Sequence, residues 1–518
     1  MSEAEKRKLQ AQLWSICNHL RGRMNGDEYR DYILGFIFYK FLSENLYLIA
    51  QNALEGEGLD YADLDESDPE MEEIIEAIRE EAVDALGYHL KPSQLFRNVV
   101  ARIKADKDVF ILGDVQAVLS DIENSTRGEE SEEEFVHLFE DMDLNSSKLG
   151  KNPDARNSVV KDILTRLAEI DFKLNEVEAD VLGDSYEYLI SNFASSAGKK
   201  AGEFYTPQMV SEILACIVTM GKTELKSAYD PTTGSGSLLL RIARKVNKVG
   251  RFYGQEQNRT TFNLARMNMI LHGVHYKDFD LKQDDTLERP QHLNLRFEAV
   301  VANPPFSMNW SANPLFLNDD RFSSYGKLAP KTKADFAFIQ HMVHQLDEDG
   351  TAAIVVPHGV LFRGAAEGHI REHMIREMNV LDAVIGLPPN LFFGTGIPAA
   401  ILVLKKCRED AENVLFIDAS REFARGTNQN TLRQEDVDKI IKTLADRSTI
   451  DKYSYLAPLS EIAENDYNLN IPRYVDTFEE EEEIDLMTVQ GERSQIEEEV
   501  MKLNERMKGY LKELGYGA

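Results

Sequence analysis

Cysteine is scarce in this chain: Cys17, Cys216 and Cys407 are the three in 518 residues. They lie far apart and form no Cys-x-x-Cys pair. That argues against a disulfide framework and a cysteine zinc site, and fits a cytoplasmic setting. Long apolar runs are missing too. The sequence reading finds no uninterrupted stretch of about 18 apolar residues and no secretory leader, so it predicts no membrane span. Basic charge is in deficit, with 58 Lys and Arg against 89 Asp and Glu, a net charge of −31. Duplex DNA is gripped mainly by neutralising its phosphates, and so acidic a chain does this poorly alone. A nucleic-acid substrate would therefore call for a partner that supplies much of the grip. The remaining composition is ordinary for a globular protein, 43% hydrophobic and 28% charged, and the length accommodates two or three domains.

Residues 1–165 read as an all-helical N-terminal domain. Tyr29, Tyr32, Ile33, Phe36, Ile37 and Phe41 fall on one face at helical spacing. Between Gly128 and Asp143 the chain is crowded with acid (Glu129, Glu130, Glu132, Glu133, Glu134). Phe135, Leu138 and Phe139 keep a helical face there, so a solvated surface helix is expected. A further helical pattern runs from about Val159 to Phe193. Thr206 followed by Pro207 predicts a helix start, with Thr206 as the cap and Pro207 at the first helical position.

Residues 166–475 carry a strand, loop, helix alternation. Strands are expected to end near Asp230, Glu256, Leu281, Ala302, Val356, Ile385 and Val403. This predicts an α/β domain, Rossmann-like, with a mostly parallel seven-stranded sheet. Residues 476–518 begin with the acidic run Glu479–Glu483. Ile496, Val500, Leu503, Met507, Tyr510 and Leu514 then repeat as a short heptad seam, predicting a C-terminal helical tail.

Two motifs are set aside. Gly221-Lys222-Thr223 ends like a P-loop, but Cys216 stands where the loop's first glycine is required. His369-Ile370-Arg371-Glu372-His373 fits a short zinc pattern, yet nothing else in the chain asks for zinc and no metal is expected.

Chemistry is concentrated at four predicted strand ends. Asp230-Pro231-Thr232-Thr233-Gly234-Ser235-Gly236-Ser237 joins a strand to a helix, and Gly234 and Gly236 let its backbone bend tightly against a ligand. Glu256 ends the next strand, 20 residues after Gly236, where an acid accepts hydrogen bonds from ribose hydroxyls. A dinucleotide fingerprint would need a third small residue at the position held by Leu239. A cofactor with ribose but no pyrophosphate fits better, and S-adenosylmethionine is one. Asp284 and Asp285 follow the third strand, where one of them can meet the cofactor's adenine; Asp285 is the choice.

The fourth strand, Ala299–Ala302, runs into Asn303-Pro304-Pro305-Phe306. Two prolines fix the backbone. The Asn303 side chain and the Pro304 carbonyl then offer two oxygens to the two hydrogens of an exocyclic amine. Such acceptors favour a pyramidal nitrogen whose lone pair can point at a methyl sulfonium. Phe306 supplies a flat face for an extruded base, worth roughly 1–3 kcal/mol. Carbon methylation of cytosine would need a cysteine nucleophile, and no cysteine sits in a comparable loop. Asn-Pro-Pro-aromatic turns also serve methylation of RNA or of a glutamine amide, and a non-catalytic scaffold is a further alternative.

These pieces together resemble the modification (methyltransferase) subunits of type I restriction-modification systems over nearly the whole chain. The matching motifs are Glu203-Phe204-Tyr205-Thr206-Pro207, Asp230–Ser237, Gly254-Gln255-Glu256, Asn263–Met269, Asn303–Phe306, Lys333–Phe338 and Asn390–Thr395. The resemblance implies N6-adenine methylation of DNA with S-adenosylmethionine. It implies that Glu203, Phe204, Tyr205, Thr206, Pro207 and Gln208 line the cofactor together with Asp230, Gly234, Ser235, Gly236, Ser237, Glu256 and Asp285. Asn303, Pro304 and Phe306 would hold the adenine. It further implies two modification subunits on one specificity subunit, restriction subunits for cleavage, and a helical N-terminal region that closes over double-stranded DNA. The heptad seam is then a docking helix for the specificity chain. The insert Ser307–Lys333, with Trp310, Arg321, Lys327, Lys331 and Lys333, is expected near DNA.

Overall fold

In the computed structural model the strand-forming runs are β1 (Glu224–Asp230), β2 (Lys248–Glu256), β3 (Phe279–Gln283), β4 (Phe297–Ala302) and β5 (Leu346–Pro357). They continue with β6 (Leu381–Gly386), β7 (Ala399–Lys405), β8 (Asn413–Asp418) and β9 (Ser454–Pro458). All nine join one sheet in the order β3-β2-β1-β4-β5-β7-β6-β8-β9. The structure describes residues 3–20, 26–172, 174, 181–196, 206–392, 396–426, 429–477 and 486–515.

β1 to β5 run parallel to one another, and β6 pairs in parallel with β8. β7 enters antiparallel between β5 and β6, and β9 caps the edge antiparallel to β8. Seven strands were expected, and the sheet has nine among the described residues. The run Asn-Val-Leu-Phe-Ile-Asp of β8 covers the backbone groups that β6 would otherwise leave unpaired at an edge. The central strands are apolar on both faces because helices cover both, and every residue of β6 is buried.

The N-terminal helices build an apolar core of their own, and Leu264, Met267 and Leu271 of the helix Arg259–Leu271 join it. Ala265 and Met269 of the same helix join the core on the sheet. One helix thus carries two apolar faces. The helix Gly26–Ala53 is buried almost all round at its centre, from Ile33 to Leu42. Its part Tyr29–Ala53, though interrupted by Arg30, Asp31, Lys40 and Glu44, is by length and composition apolar enough to cross a bilayer. It is mostly buried inside this core, and a helix apolar all round is what a core demands.

The acidic stretch after Gly128 is solvated as expected, with Glu129, Glu130, Glu132 and Glu133 exposed, but it is not the continuous helix expected. Glu132–Phe135 forms a single helical turn, and His137 then takes a positive φ of 56°. Arg266 donates to the carbonyls of Glu133 (2.9 Å) and Val136 (3.0 Å), and Asn263 donates to the His137 carbonyl (3.2 Å) and Asp141 (3.0 Å). Arg259 pairs with Glu140 at 2.6 Å, and Lys282 with Glu133 at 2.5 Å. Acid is there because the facing helix and strand are basic. Burial pushes the Glu134 carboxyl up to about 7. The helical pattern from Val159 to Phe193 also divides, into the helices Pro153–Leu167 and Val181–Ser196.

Residues 476–518 form a second unit. Its helix Leu486–Glu513 carries the heptad seam, and Ile496, Val500, Leu503, Met507, Tyr510 and Leu514 are all exposed on it.

Candidate active site

Parallel strands end on one edge of the sheet, so Asp230, Glu256, Gln283 and Ala302 are brought to the same side. Asp230 stands opposite Gly254, and Tyr229 opposite Val300. Neighbouring strands lie about 4.8 Å apart, so the loops after β2, β1 and β4 together span about 10 Å.

The loop after β1 is held tightly. Gly234 and Gly236 have φ of 55° and 80°, a backbone region that side chains disfavour. Thr233 N–H donates to the Gln255 carbonyl at 3.1 Å, and Asn268 Nδ2 donates to the Ser235 carbonyl at 2.9 Å. A Cβ at Gly254 would fall well inside contact with Thr233 Oγ1 and 2.7 Å from Leu281 Cδ2, so glycine there lets the loop sit on β2. Asp230 is fully buried. Its Oδ1 accepts from Thr232 N–H at 2.9 Å, while Oδ2 has no partner among the described residues. Burial pushes this carboxyl up to about 7, with the Glu256 charge adding to the rise.

Glu256 accepts from Gly234 N–H through Oε2 (2.9 Å) and from Asn258 N–H through Oε1 (2.8 Å). Burial raises its pKa. Each oxygen keeps lone-pair capacity for a hydroxyl donor. Of the two aspartates after β3, Asp284 receives Arg289 Nε on both oxygens, at 2.8 and 2.9 Å. Asp285 instead caps the turn at Leu287 N–H (2.9 Å) and accepts from Gln257 Nε2 (3.2 Å), the residue beside Glu256. A glycine turn, an unpartnered buried carboxylate oxygen and a strand-end acid make a donor and acceptor set that fits a ribose-bearing cofactor. Leu239 is buried in the sheet-side core, so it leaves no third close approach of the kind a pyrophosphate takes.

At the end of β4, Asn303 donates through Nδ2 to Thr206 Oγ1 at 3.1 Å. That leaves Asn303 Oδ1 as an acceptor. Thr206 was expected to cap the following helix. Pro207 is the cap instead, the helix runs Gln208–Val218, and the Thr206 side chain meets Asn303. Phe306 stacks edge-on against Phe392, with ring centroids 5.7 Å apart. Ser307 then takes a φ of 53°, and its N–H donates to Asp335 Oδ1 at 2.9 Å. Arg363 donates to Asp335 (3.1 Å) and Glu367 (3.0 Å), closing a part-buried ionic group beneath the turn. Glu203, Phe204 and Tyr205, like Phe393, Gly394 and Thr395, lie outside the described residues.

Sequence reasoning singled out Asn268, Asp335 and Phe392 only as parts of matching motifs and assigned them no role. Their spacing alone does not show which loop each one holds. Gly254 was legible only as a strand residue before Glu256. The insert after Phe306 is held together from within. Trp310 is buried, and its indole donates to the Pro330 carbonyl at 3.1 Å. Arg321 is 1% exposed, pairs with Asp319 and donates to the carbonyls of Thr286 (3.0 Å) and Leu287 (2.9 Å). Both hold the insert together and neither faces solvent; Lys327 and Lys331 are exposed. The two set-aside motifs have structural partners. Lys222 pairs with Glu298 at 2.6 Å, His369 Nε2 meets the Tyr325 carbonyl at 2.9 Å, and His373 packs on the Tyr325 ring.

Residues 177–483 match the family model described as N-6 DNA Methylase, and residues 9–167 match the HsdM N-terminal domain. The type I restriction enzyme MpnII methylase subunit of Mycoplasma pneumoniae is 36% identical over 530 aligned positions, covering 98% of this chain and 97% of that protein. The chain belongs to the type I restriction-modification methyltransferase subunits. As such it is an adenine-specific DNA methyltransferase. The crystal structure of the type I methyltransferase subunit from Streptococcus thermophilus superposes on this methyltransferase subunit with a TM-score of 0.83. It is 42% identical and covers 91% of this chain and all of that one. A structure from work on complex assembly and conformational transition of the type I system shares the fold at 18% identity, with a TM-score of 0.62.

Proposed function

We propose that this subunit transfers a methyl group from S-adenosylmethionine to N6 of an adenine extruded from double-stranded DNA. The observation that carries this reading is the Asn303–Thr206 hydrogen bond, which leaves Asn303 Oδ1 as an acceptor at the strand end beside the glycine loop. S-adenosylmethionine, when bound, supplies an electrophilic methyl group on sulfur. Glu256 would accept from the ribose hydroxyls, Asp285 would meet the cofactor's adenine, and Asp230, Gly234, Ser235, Gly236 and Ser237 would complete the site. Thr206, Pro207 and Gln208 would contribute to the same site. Asn303 Oδ1 and the Pro304 carbonyl accept the two hydrogens of the target amine and localise its lone pair. Phe306 stacks on the extruded base, offsetting the few kcal/mol that unstacking costs. No covalent enzyme intermediate is needed, and the rate comes from positioning and electrostatics.

A separate specificity chain selects the adenine, with two modification subunits on each. A restriction subunit joins for cleavage, and methylation in the cytoplasm protects host DNA from it. The charge of −31 supports a partner that supplies DNA affinity, and the exposed apolar seam of Leu486–Glu513 supports a helix that docks on that partner. That its relatives are methylase subunits of type I restriction enzymes supports a multi-subunit assembly.

The test mixes this chain with its specificity chain, target DNA and labelled S-adenosylmethionine. Wild type should place label on adenine, and Asn303→Ala should do so only at a small residual rate. Label absent from DNA under every condition, or a wild-type rate from Asn303→Ala, would refute the reading.

A further inference from the structure

The geometry points to Thr206 as a positioning residue that fixes the orientation of the Asn303 amide for the reaction. The inference rests on the reading of Asn303 as the amine acceptor. An asparagine side chain ends in two groups of equal shape and opposite polarity. An exocyclic amine has two hydrogens to donate, so only the orientation with Oδ1 facing it is productive. In the other orientation two NH2 groups meet. The Asn303 NH2 therefore needs an acceptor on its far side, and Thr206 Oγ1 lies 3.1 Å from Nδ2.

Thr206 is well placed to keep that role. It is buried at 7% exposure, so bulk water is a poor substitute for its oxygen. Its hydroxyl is not used to cap the helix that follows, because Pro207 takes that position and Val210 and Ser211 donate to the Pro207 carbonyl at 2.9 and 3.0 Å. The helix Gln208–Val218 is itself anchored in the sheet-side core through Val210, Ile213, Leu214 and Ile217. Thr206 stands at the root of a helix packed into that core, and its oxygen serves a side chain 97 residues away.

Thr206→Val keeps the shape and removes the acceptor, and Thr206→Ser keeps the acceptor. Both are measured in the complex with the specificity chain. Thr206→Val should lower kcat about tenfold, the effect of one buried hydrogen bond made to a reacting group. KM for DNA should stay within about twofold, so that the loss falls on kcat. Thr206→Ser should recover most of the rate. In an Asn303→Ala background the residual slow incorporation of label should not fall further on adding Thr206→Val, because the two residues act as one unit. The inference is overturned if Thr206→Val leaves kcat unchanged, if Thr206→Ser behaves like Thr206→Val, or if the two substitutions are additive. A thermal midpoint close to wild type guards against misfolding; should Thr206→Val fail it, Thr206→Ala takes its place against the same outcomes. Full activity of Asn303→Ala would instead remove the underlying reading of the acceptor and is told apart from these results.

Discussion

Asp230→Asn should stabilise the cofactor-free protein, and by more as pH rises. Asp230 is fully buried at the end of β1, and one carboxylate oxygen lacks a partner. Burial moves its pKa from the ordinary 3.8 to about 7. Between those values the folded protein holds a proton that the unfolded chain has released. The folded state is therefore favoured below pH 4, and this advantage is lost as pH rises toward 7, above which both states are ionised. The penalty for keeping the charge buried reaches about 4 kcal/mol above that window. Asparagine keeps the oxygen that accepts from Thr232 N–H at 2.9 Å and carries no charge. The stability gap between Asp230→Asn and wild type should therefore grow by about 2–3 kcal/mol from pH 5 to pH 8. Parallel urea unfolding of the two proteins at both pH values, followed by circular dichroism, measures it. Carboxylates that do not interact with Asp230 cancel in the difference; Glu256, whose charge adds to the rise, is the exception. A gap that is constant across the range, or a wild type that gains on the variant at pH 8, would refute the reasoning.

Further outcomes follow from the same geometry. Gly254→Ala should push the glycine loop off β2 and cost about 1–3 kcal/mol of stability, with weaker cofactor binding by calorimetry; adding Thr233→Ala, which removes the clashing hydroxyl, should restore part of both, and no restoration would count against the clash. Phe306→Ala should lose about 1–3 kcal/mol of transition-state stabilisation in kcat/KM for DNA, while Phe306→Tyr retains the face and most of the activity. Arg321→Met should destabilise by about 3–5 kcal/mol because it leaves Asp319 and two carbonyls without their donor, yet leave the salt slope of DNA binding unchanged. Reversing Lys327 and Lys331 to Glu tests the exposed side of the insert; an unchanged DNA affinity and salt slope would remove that surface from the DNA path.

The order of chemistry along the chain was legible without coordinates. Strand ends at Asp230, Glu256 and Ala302 are found at the expected residues, because apolar runs that stop at Asp, Glu or Asn-Pro announce their own boundaries. Elements with weaker local signals were missed. β9 (Ser454–Pro458) is a five-residue edge strand whose only reason to be extended is its partner β8. The acidic stretch after Gly128 looked like a continuous helix because sequence shows its charges and not the basic helix that receives them. The sequence showed Trp310 and Arg321 as residues of the insert and did not show that both are buried.

The sequence by itself determined the residues that can act: the glycine turn, the strand-end acid, the Asn-Pro-Pro-Phe turn and the shortage of positive charge. Each depends on backbone preference or composition within a few neighbouring residues. Only the tertiary structure decided which of them meet. Thr206 satisfies Asn303 across 97 residues, Asn268 holds Ser235, Asp335 pins the turn after Phe306, and Arg266 receives the acidic stretch. These pairings follow from how helices pack on a twisted sheet, and a buried polar group must find whatever partner that packing puts within reach.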